Sequence, residues 1–100
     1  MLFRFKSKKH EVLYFQDKGA SKYPEGVVDA FAEALQFIEA ANDMRDLYAM
    51  RSFHVKKLKG KRGRAGEWSI RLTGQYRLIF KIEQSEEGQR IVIIDICDYH

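Results

Sequence analysis

The stretch EWSIRLTGQYRLIFKI, residues 67–82, decides the fold. Trp68, Ile70 and Leu72 alternate with polar residues on one half, and Tyr76, Leu78, Phe80 and Ile82 alternate on the other. A period of two with an apolar face is the mark of a half-buried strand, and two such runs around Thr73-Gly74-Gln75 make a hairpin. Facing residues of an antiparallel pair share a side of the sheet, so apolar must oppose apolar. A two-residue loop at Thr73-Gly74 sets Ile70 against Arg77 and fails. A three-residue loop sets Leu72 against Tyr76, Ile70 against Leu78 and Trp68 against Phe80. That register places Arg71 directly opposite Arg77 and Glu67 opposite Lys81 on the polar face. Two facing arginines destabilise a sheet unless solvent screens them or an anion lies between them, and the guanidinium fork suits a phosphate.

Upstream, residues 51–66 (RSFHVKKLKGKRGRAG) continue the basic character. From Arg51 to Lys81 the chain carries ten Lys or Arg (51, 56, 57, 59, 61, 62, 64, 71, 77 and 81) against the single acid Glu67. Such a density needs an anionic partner, and a phosphate backbone is the obvious one. Phe53 and Val55 are expected to face one way along a strand, with His54 and Lys56 facing the other. Leu58 breaks the alternation, which marks a bulge near Lys56–Lys57 or the end of the strand. Gly60, Gly63 and Gly66 then punctuate what reads as a mobile basic loop. It is not a P-loop: no Lys-Ser/Thr pair follows, and neither neighbour reads as a helix.

Further out, the period changes to that of helices. Val27, Val28, Phe31, Leu35 and Ile38 recur every three or four residues within Pro24–Asn42, with Asp29, Glu33 and Glu39 between them, so this is an amphipathic helix. Its apolar stripe is the side that meets the core. Pro24 suits the first helical position, and residues 42–50 (NDMRDLYAM) continue as a helical turn. HEVLYFQDK (10–18) is a short helix ended by Gly19, its approach KSKKH a solvated surface. LFRF (2–5) is a short edge strand, EQSEEGQ (83–89) an acidic turn, and RIVIIDIC (90–97) a central strand apolar on both faces. The fold class is α+β: two N-terminal helices packed on a twisted, mainly antiparallel sheet, in one domain over residues 1–100.

Composition agrees. A chain of 100 residues, 45% apolar, is large enough for one modest core. Its longest apolar run, Ile91–Ile94, is far below the roughly 20 residues of a membrane span. The start, MLFRFKSKK, places apolar residues before charges, the reverse of a secretory signal, so a cytoplasmic protein without a membrane partner is expected. The lone Cys97 reads as a buried structural thiol. Three scattered histidines and one cysteine do not make a metal site, and no cofactor is implied. Charge is bipolar, since residues 25–50 carry six acids against one base and residues 82–100 five against one.

The runs LKG (58–60), WSIRL (68–72), QYRLIF (75–80) and VIIDICDYH (92–100), in this order, resemble the RelE superfamily of toxins, and within it the HigB or proteic killer branch. The resemblance spans essentially the whole chain. It implies a ribosome-dependent mRNA endonuclease of a type II toxin–antitoxin system. Such an enzyme cuts mRNA in the A site, against the 16S rRNA, by metal-independent attack of the 2′-hydroxyl. Its partner would be a cognate antitoxin, with operator DNA bound only through that antitoxin. Carried onto this sequence, the family's site residues are Lys59, Arg77, Asp98, Tyr99 and His100. One departure is visible: a histidine that some members carry two residues before the Leu of LKG is Lys56 here, and His54 lies two residues earlier.

The chemistry required agrees with these residue types. Internal attack needs a group to take the 2′-proton, another to protonate the leaving 5′-oxygen, and cations on the phosphorane-like transition state. His100 is the best titratable group by type, against the plainer reading of a frayed terminal residue. Tyr99 can stack on a base or simply pack, and Asp98 can orient His100 or bind a base edge. Lys59, Lys56, Lys57, Arg71, Arg77 and Lys81 would hold phosphate, with His54 or Lys56 assisting in acid–base work. Two other readings stay open: a non-catalytic RNA- or ribosome-binding module, and a DNA-binding regulatory component, against which the missing helix-turn-helix counts.

Overall fold

The computed structural model describes residues 1–98, so Tyr99 and His100 lie outside the described residues. Five strands form one sheet in the order β1-β5-β4-β3-β2, from β1 (Leu2–Phe5), β2 (Lys56–Lys57), β3 (Glu67–Arg71), β4 (Tyr76–Ser85) and β5 (Gly88–Asp98). Only β1 runs parallel to its neighbour; the other pairings are antiparallel. The hairpin register is the one that the apolar pattern demands, with Ile70 opposite Leu78, Trp68 opposite Phe80, and Arg71 opposite Arg77. β5 is an interior strand, paired on both sides, but the central strand of the sheet is β4.

One face of the sheet is covered by α1 (Lys8–Gln16) and α2 (Val27–Ala40). From α2, Phe31, Leu35 and Ile38 are fully buried against Leu78, Phe80, Ile91 and Ile93. Each such side chain contributes about 1.5–3 kcal/mol by leaving water. α1 begins at Lys8, two residues before the sequence suggests, because the Ser7 hydroxyl accepts from the Lys9 N–H at 3.2 Å and caps it. His10 consequently sits inside the first turn and is 3% exposed, not part of a solvated surface. Its Nε2 lies 3.6 Å from Asp95 Oδ1, and burial pushes its pKa down, partly opposed by that carboxylate. α2 begins after Gly26, whose φ of 89° is the left-handed conformation that glycine tolerates best. Pro24 therefore stands outside the helix. α3 (Met44–Ala49) follows as a separate short helix capped by Asp43, whose Oδ1 accepts from the Arg45 N–H at 2.9 Å.

Three further expectations are corrected. Arg51–Phe53 is a 3-10 turn rather than the start of a strand, so β2 is only two residues long and ends before Leu58. The basic loop contains a helix, α4 (Gly60–Arg64), seated on β3. The acidic turn is mostly strand: β4 runs to Ser85, β5 starts at Gly88, and only Glu86 and Glu87 turn.

Candidate functional site

The sheet face turned away from α1 and α2 carries the charged residues. Read across the strands, its rows are Lys56–Ser69–Ile79–Asp95, Arg71–Arg77–Cys97 and Glu67–Lys81–Val92–Arg4. A bulge at Ile79/Phe80 shifts the β4–β5 register, which puts Asp95 on this face, beside Ile79.

Arg71 and Arg77 form the core of the site. The turn that joins their strands is held by Thr73, whose Oγ1 accepts from the Gln75 N–H at 3.3 Å and the Tyr76 N–H at 3.1 Å. His54 joins them, with Nε2 at 3.4 Å from Arg71 Nη1. It arrives from the end of the 3-10 turn in a left-handed conformation, φ 44°, not from a strand at the spacing the sequence suggested. Phe53, packed edge-on against Phe37 of α2 at 5.1 Å, anchors that turn. A guanidinium has donors only, so the contact is a hydrogen bond only when Nε2 carries no proton. The Nε2 lone pair is then occupied by the Arg71 N–H, so His54 is in place to act as a base once substrate draws Arg71 onto the phosphate.

The other expected residues divide. Lys56 lies on this face opposite Ser69, whereas Lys57 is opposite Trp68 and so belongs to the other face. Lys59 is exposed at the start of α4. Asp98 pairs with Tyr76, which places it at the sheet end and on the side opposite Arg77; the Gln75 amide donates to its Oδ2 at 3.4 Å. Tyr99 and His100, the residues assigned the main chemistry, lie outside the described residues. Cys97 faces Arg77 half-buried, and burial pushes its thiol pKa up. A thiol held protonated is no nucleophile.

Lys81 is separated from the arginines by a feature the sequence reading missed. Arg62 of α4 donates to Glu67 Oε1 at 2.7 Å and reaches within 3.9 Å of Asp95 Oδ2. Glu67 and Asp95 flank β4 on this face, so the guanidinium spans the strand above Ile79. That residue is fully buried although it lies outside the main core. Glu67 as the one acid of a basic stretch was the available signal for this clamp. Gly63 fits α4 to the sheet, because a Cβ there would stand 2.2 Å from the Leu58 carbonyl oxygen. Beyond Arg62, four residues along β4 from Arg77, Lys81 is about 13 Å away by strand rise. Among the described residues no group of three or more His, Cys, Asp or Glu is placed to hold a metal ion, and no helix is long and apolar enough to cross a membrane.

Comparison with known proteins agrees with this architecture. A family model described as the RelE-like toxin of the type II toxin–antitoxin system HigB matches residues 3–100. An uncharacterized protein of Haemophilus influenzae is 35% identical over 66 residues, a match that spans 66% of this chain and 63% of that protein. Among solved structures, a YoeB/ParE toxin from Agrobacterium tumefaciens superposes with a TM-score of 0.58 at 19% identity, covering all of both chains. A chain of the heterotetrameric YoeB–YefM toxin–antitoxin complex from Staphylococcus aureus does so at 0.55 and 22% identity, over all of this chain and 98% of that one. At such identities these structures speak for the fold alone. The family model, covering nearly every residue, speaks for descent: this chain belongs to the HigB-like branch of the RelE-type toxins of type II toxin–antitoxin systems.

Proposed function

We propose that this chain is a ribosome-dependent endoribonuclease that cuts mRNA in the A site and so arrests translation in the cytoplasm. The observation that carries this reading is the facing pair Arg71–Arg77 with His54 Nε2 at 3.4 Å from Arg71 Nη1. A pair of opposed guanidiniums is unfavourable alone and favourable around an anion. A phosphodiester that becomes more negative on its way to a pentavalent transition state gains most from such a pair.

In the reaction, the 2′-oxygen of one nucleotide attacks the adjacent phosphorus as its proton passes to a base, and the bond from phosphorus to the 5′-oxygen breaks as that oxygen takes a proton. The products are a 2′,3′-cyclic phosphate and a 5′-hydroxyl end, and no metal or redox partner is needed to balance the step. Arg71 and Arg77 hold the phosphate. Lys59 and Lys56 add positive charge from α4 and β2. His54, neutral when it accepts from Arg71, and His100 are the two groups suited to proton transfer, with Asp98 orienting and Tyr99 stacking on a base. A toxin active against its own ribosomes requires an antitoxin. That the similar S. aureus toxin is held in a YoeB–YefM complex supports such a partner here.

The test is induction in bacteria followed by mapping of mRNA 5′ ends, and incubation of purified protein with mRNA free or on programmed ribosomes. Cuts within codons on ribosomes, with free mRNA nearly intact, are the expected result. Equal cutting of both contradicts ribosome dependence, and binding without cutting returns the chain to the non-catalytic reading. His100→Ala removes cleavage if that residue supplies a proton, and undiminished growth arrest removes it from the mechanism.

A further inference from the structure

We infer that the same sheet face carries a second phosphodiester site, separate from Arg71–Arg77, in which Arg4, Lys6 and Lys81 hold the backbone of the bound RNA without taking part in its chemistry. The inference deepens the RNA-directed reading above and rests on it.

The site follows from the register. Lys81, Val92 and Arg4 face one another across β4, β5 and β1, on the side that also carries Arg77. Lys6 comes two residues after Arg4 and is fixed by its backbone N–H, which donates to the Ile93 carbonyl at 2.9 Å. The three cations border a cavity of about 290 Å³ floored by Val92 and Ile94. Val92 is 4% exposed, so this part of the lining is apolar, and Glu83 is the one acid among the described residues that borders the cavity.

The nearby acids are already engaged. Glu67, opposite Lys81, is taken by Arg62 at 2.7 Å. Glu83 accepts from Arg4 at 3.1 and 3.0 Å and from Arg90 Nε at 2.7 Å. Among the described residues, neither Lys6 nor Lys81 has an acid within ion-pair distance. Glu83 also lines the cavity, but its two oxygens are taken by Arg4 and Arg90, so two lysines without an acid in ion-pair distance among the described residues and an arginine with its other Nη free of Glu83 converge on it.

The chemistry points to a nucleic-acid backbone. The lining residues include no aromatic on which a base could stack, and lysine ammoniums act as hydrated point charges that hold phosphate without reading sequence. About 13 Å of β4 separates Lys81 from Arg77 by strand rise, so one phosphate cannot touch both. A strand leaving the Arg71–Arg77 pair passes α4, with Lys59, Lys61 and Arg64 exposed on it, before reaching this cavity.

The experiment compares the parent with K6Q/K81Q. Binding of a short 2′-O-methyl oligouridine, which lacks the attacking hydroxyl, is measured between about 50 and 200 mM salt, where single-strand affinity changes with a slope of about −0.7 per phosphate contact. The double variant is expected to lose about 1.4 from the magnitude of that slope and roughly tenfold in affinity. On programmed ribosomes its loss in kcat/KM is carried by KM, whereas loss of Arg77 is carried by kcat. An unchanged slope overturns the inference. Unchanged RNA binding with weakened antitoxin capture also overturns it and assigns the cavity to an acidic segment of that partner. Failure of the two readings can be told apart: a parent that cuts nothing but shows the altered slope on mutation defeats the endonuclease reading and keeps this site.

Discussion

Arg71 and Arg77 repel across a hairpin whose register leaves no choice about their meeting, and this fixes what removing one of them should do. Facing like charges cost roughly 0.2–1 kcal/mol, and Arg77→Ala relieves that repulsion while removing the packing of a half-buried side chain, so a small net change in unfolding free energy is expected. Cleavage should fall by about 10²–10³, the usual consequence of deleting one donor to a developing oxyanion. Thermal unfolding and single-turnover cutting of the same preparation check both, and a large drop in melting temperature would make Arg77 a structural residue. His54 poses a different question, because its φ of 44° lies in the left-handed region, open to glycine and, less readily, to asparagine, aspartate and histidine. His54→Asn keeps the turn and removes the lone-pair base. The expected result is an unchanged melting temperature with kcat reduced at least about a hundredfold, the low end of what a positioned base supplies; full activity would leave proton transfer to His100. The arginine pair could be read from the sequence, since alternation constrains each facing residue. His54 could not, since its position depends on a left-handed turn anchored through Phe53 on Phe37, a tertiary contact with no local signature.

At the scale of elements, the hairpin and α2 follow from their periodicity, and α4 does not. Three glycines in seven residues argue against a helix, and five residues are too few for one to persist unaided. α4 exists because Leu58 is buried beneath it, Arg62 clamps Glu67, and Gly63 lets it approach the Leu58 carbonyl. Gly63→Ala forces a methyl group into that carbonyl and is expected to destabilise by on the order of 1–3 kcal/mol, as overpacking does. Urea unfolding measures this, and a neutral result would mean that α4 is free to lift. The acids around the β4–β5 turn carry no local sign of their ion pairs, because Glu83, near the end of β4, meets Arg4 from the other end of the chain. Those pairs hold the Glu83 carboxyl far below its ordinary value, at about 2, chiefly through hydrogen bonds from Arg4 and then Arg90. A depressed carboxylate pKa contributes stability that is complete above about pH 4.5 and disappears as pH falls from there toward 2. The difference in melting temperature between the parent and Glu83→Gln should therefore be constant from neutrality to about pH 5 and shrink below it. A difference undiminished at pH 2.5 would show that the carboxylate is not its source.

For the whole molecule, the acids of α2 and the arginine pair lie on opposite sides, while Glu67, Glu83 and Asp95 stay among the bases of the sheet face. The acids of α2 stand on the side away from the arginines, with Glu33 and Glu39 exposed, and the folded chain is 24 Å across its thinnest direction. That thickness decides when the acidic side matters. At physiological ionic strength the Debye length is about 8 Å, so the basic face acts as if the acids were absent; near 0.01 M it is about 30 Å, and the whole molecule is felt at once. Glu33→Gln with Glu39→Gln removes two negative charges from the far side at little cost in helix propensity. Its affinity for a single-stranded polyanion should match the parent's at 0.15 M salt and exceed it at 0.01 M, with association rather than dissociation accelerated, because steering acts on encounter. Equal gains at both salt concentrations would mean that these glutamates lie against the nucleic acid, and the contact face would then have to extend around the edge of the sheet onto α2.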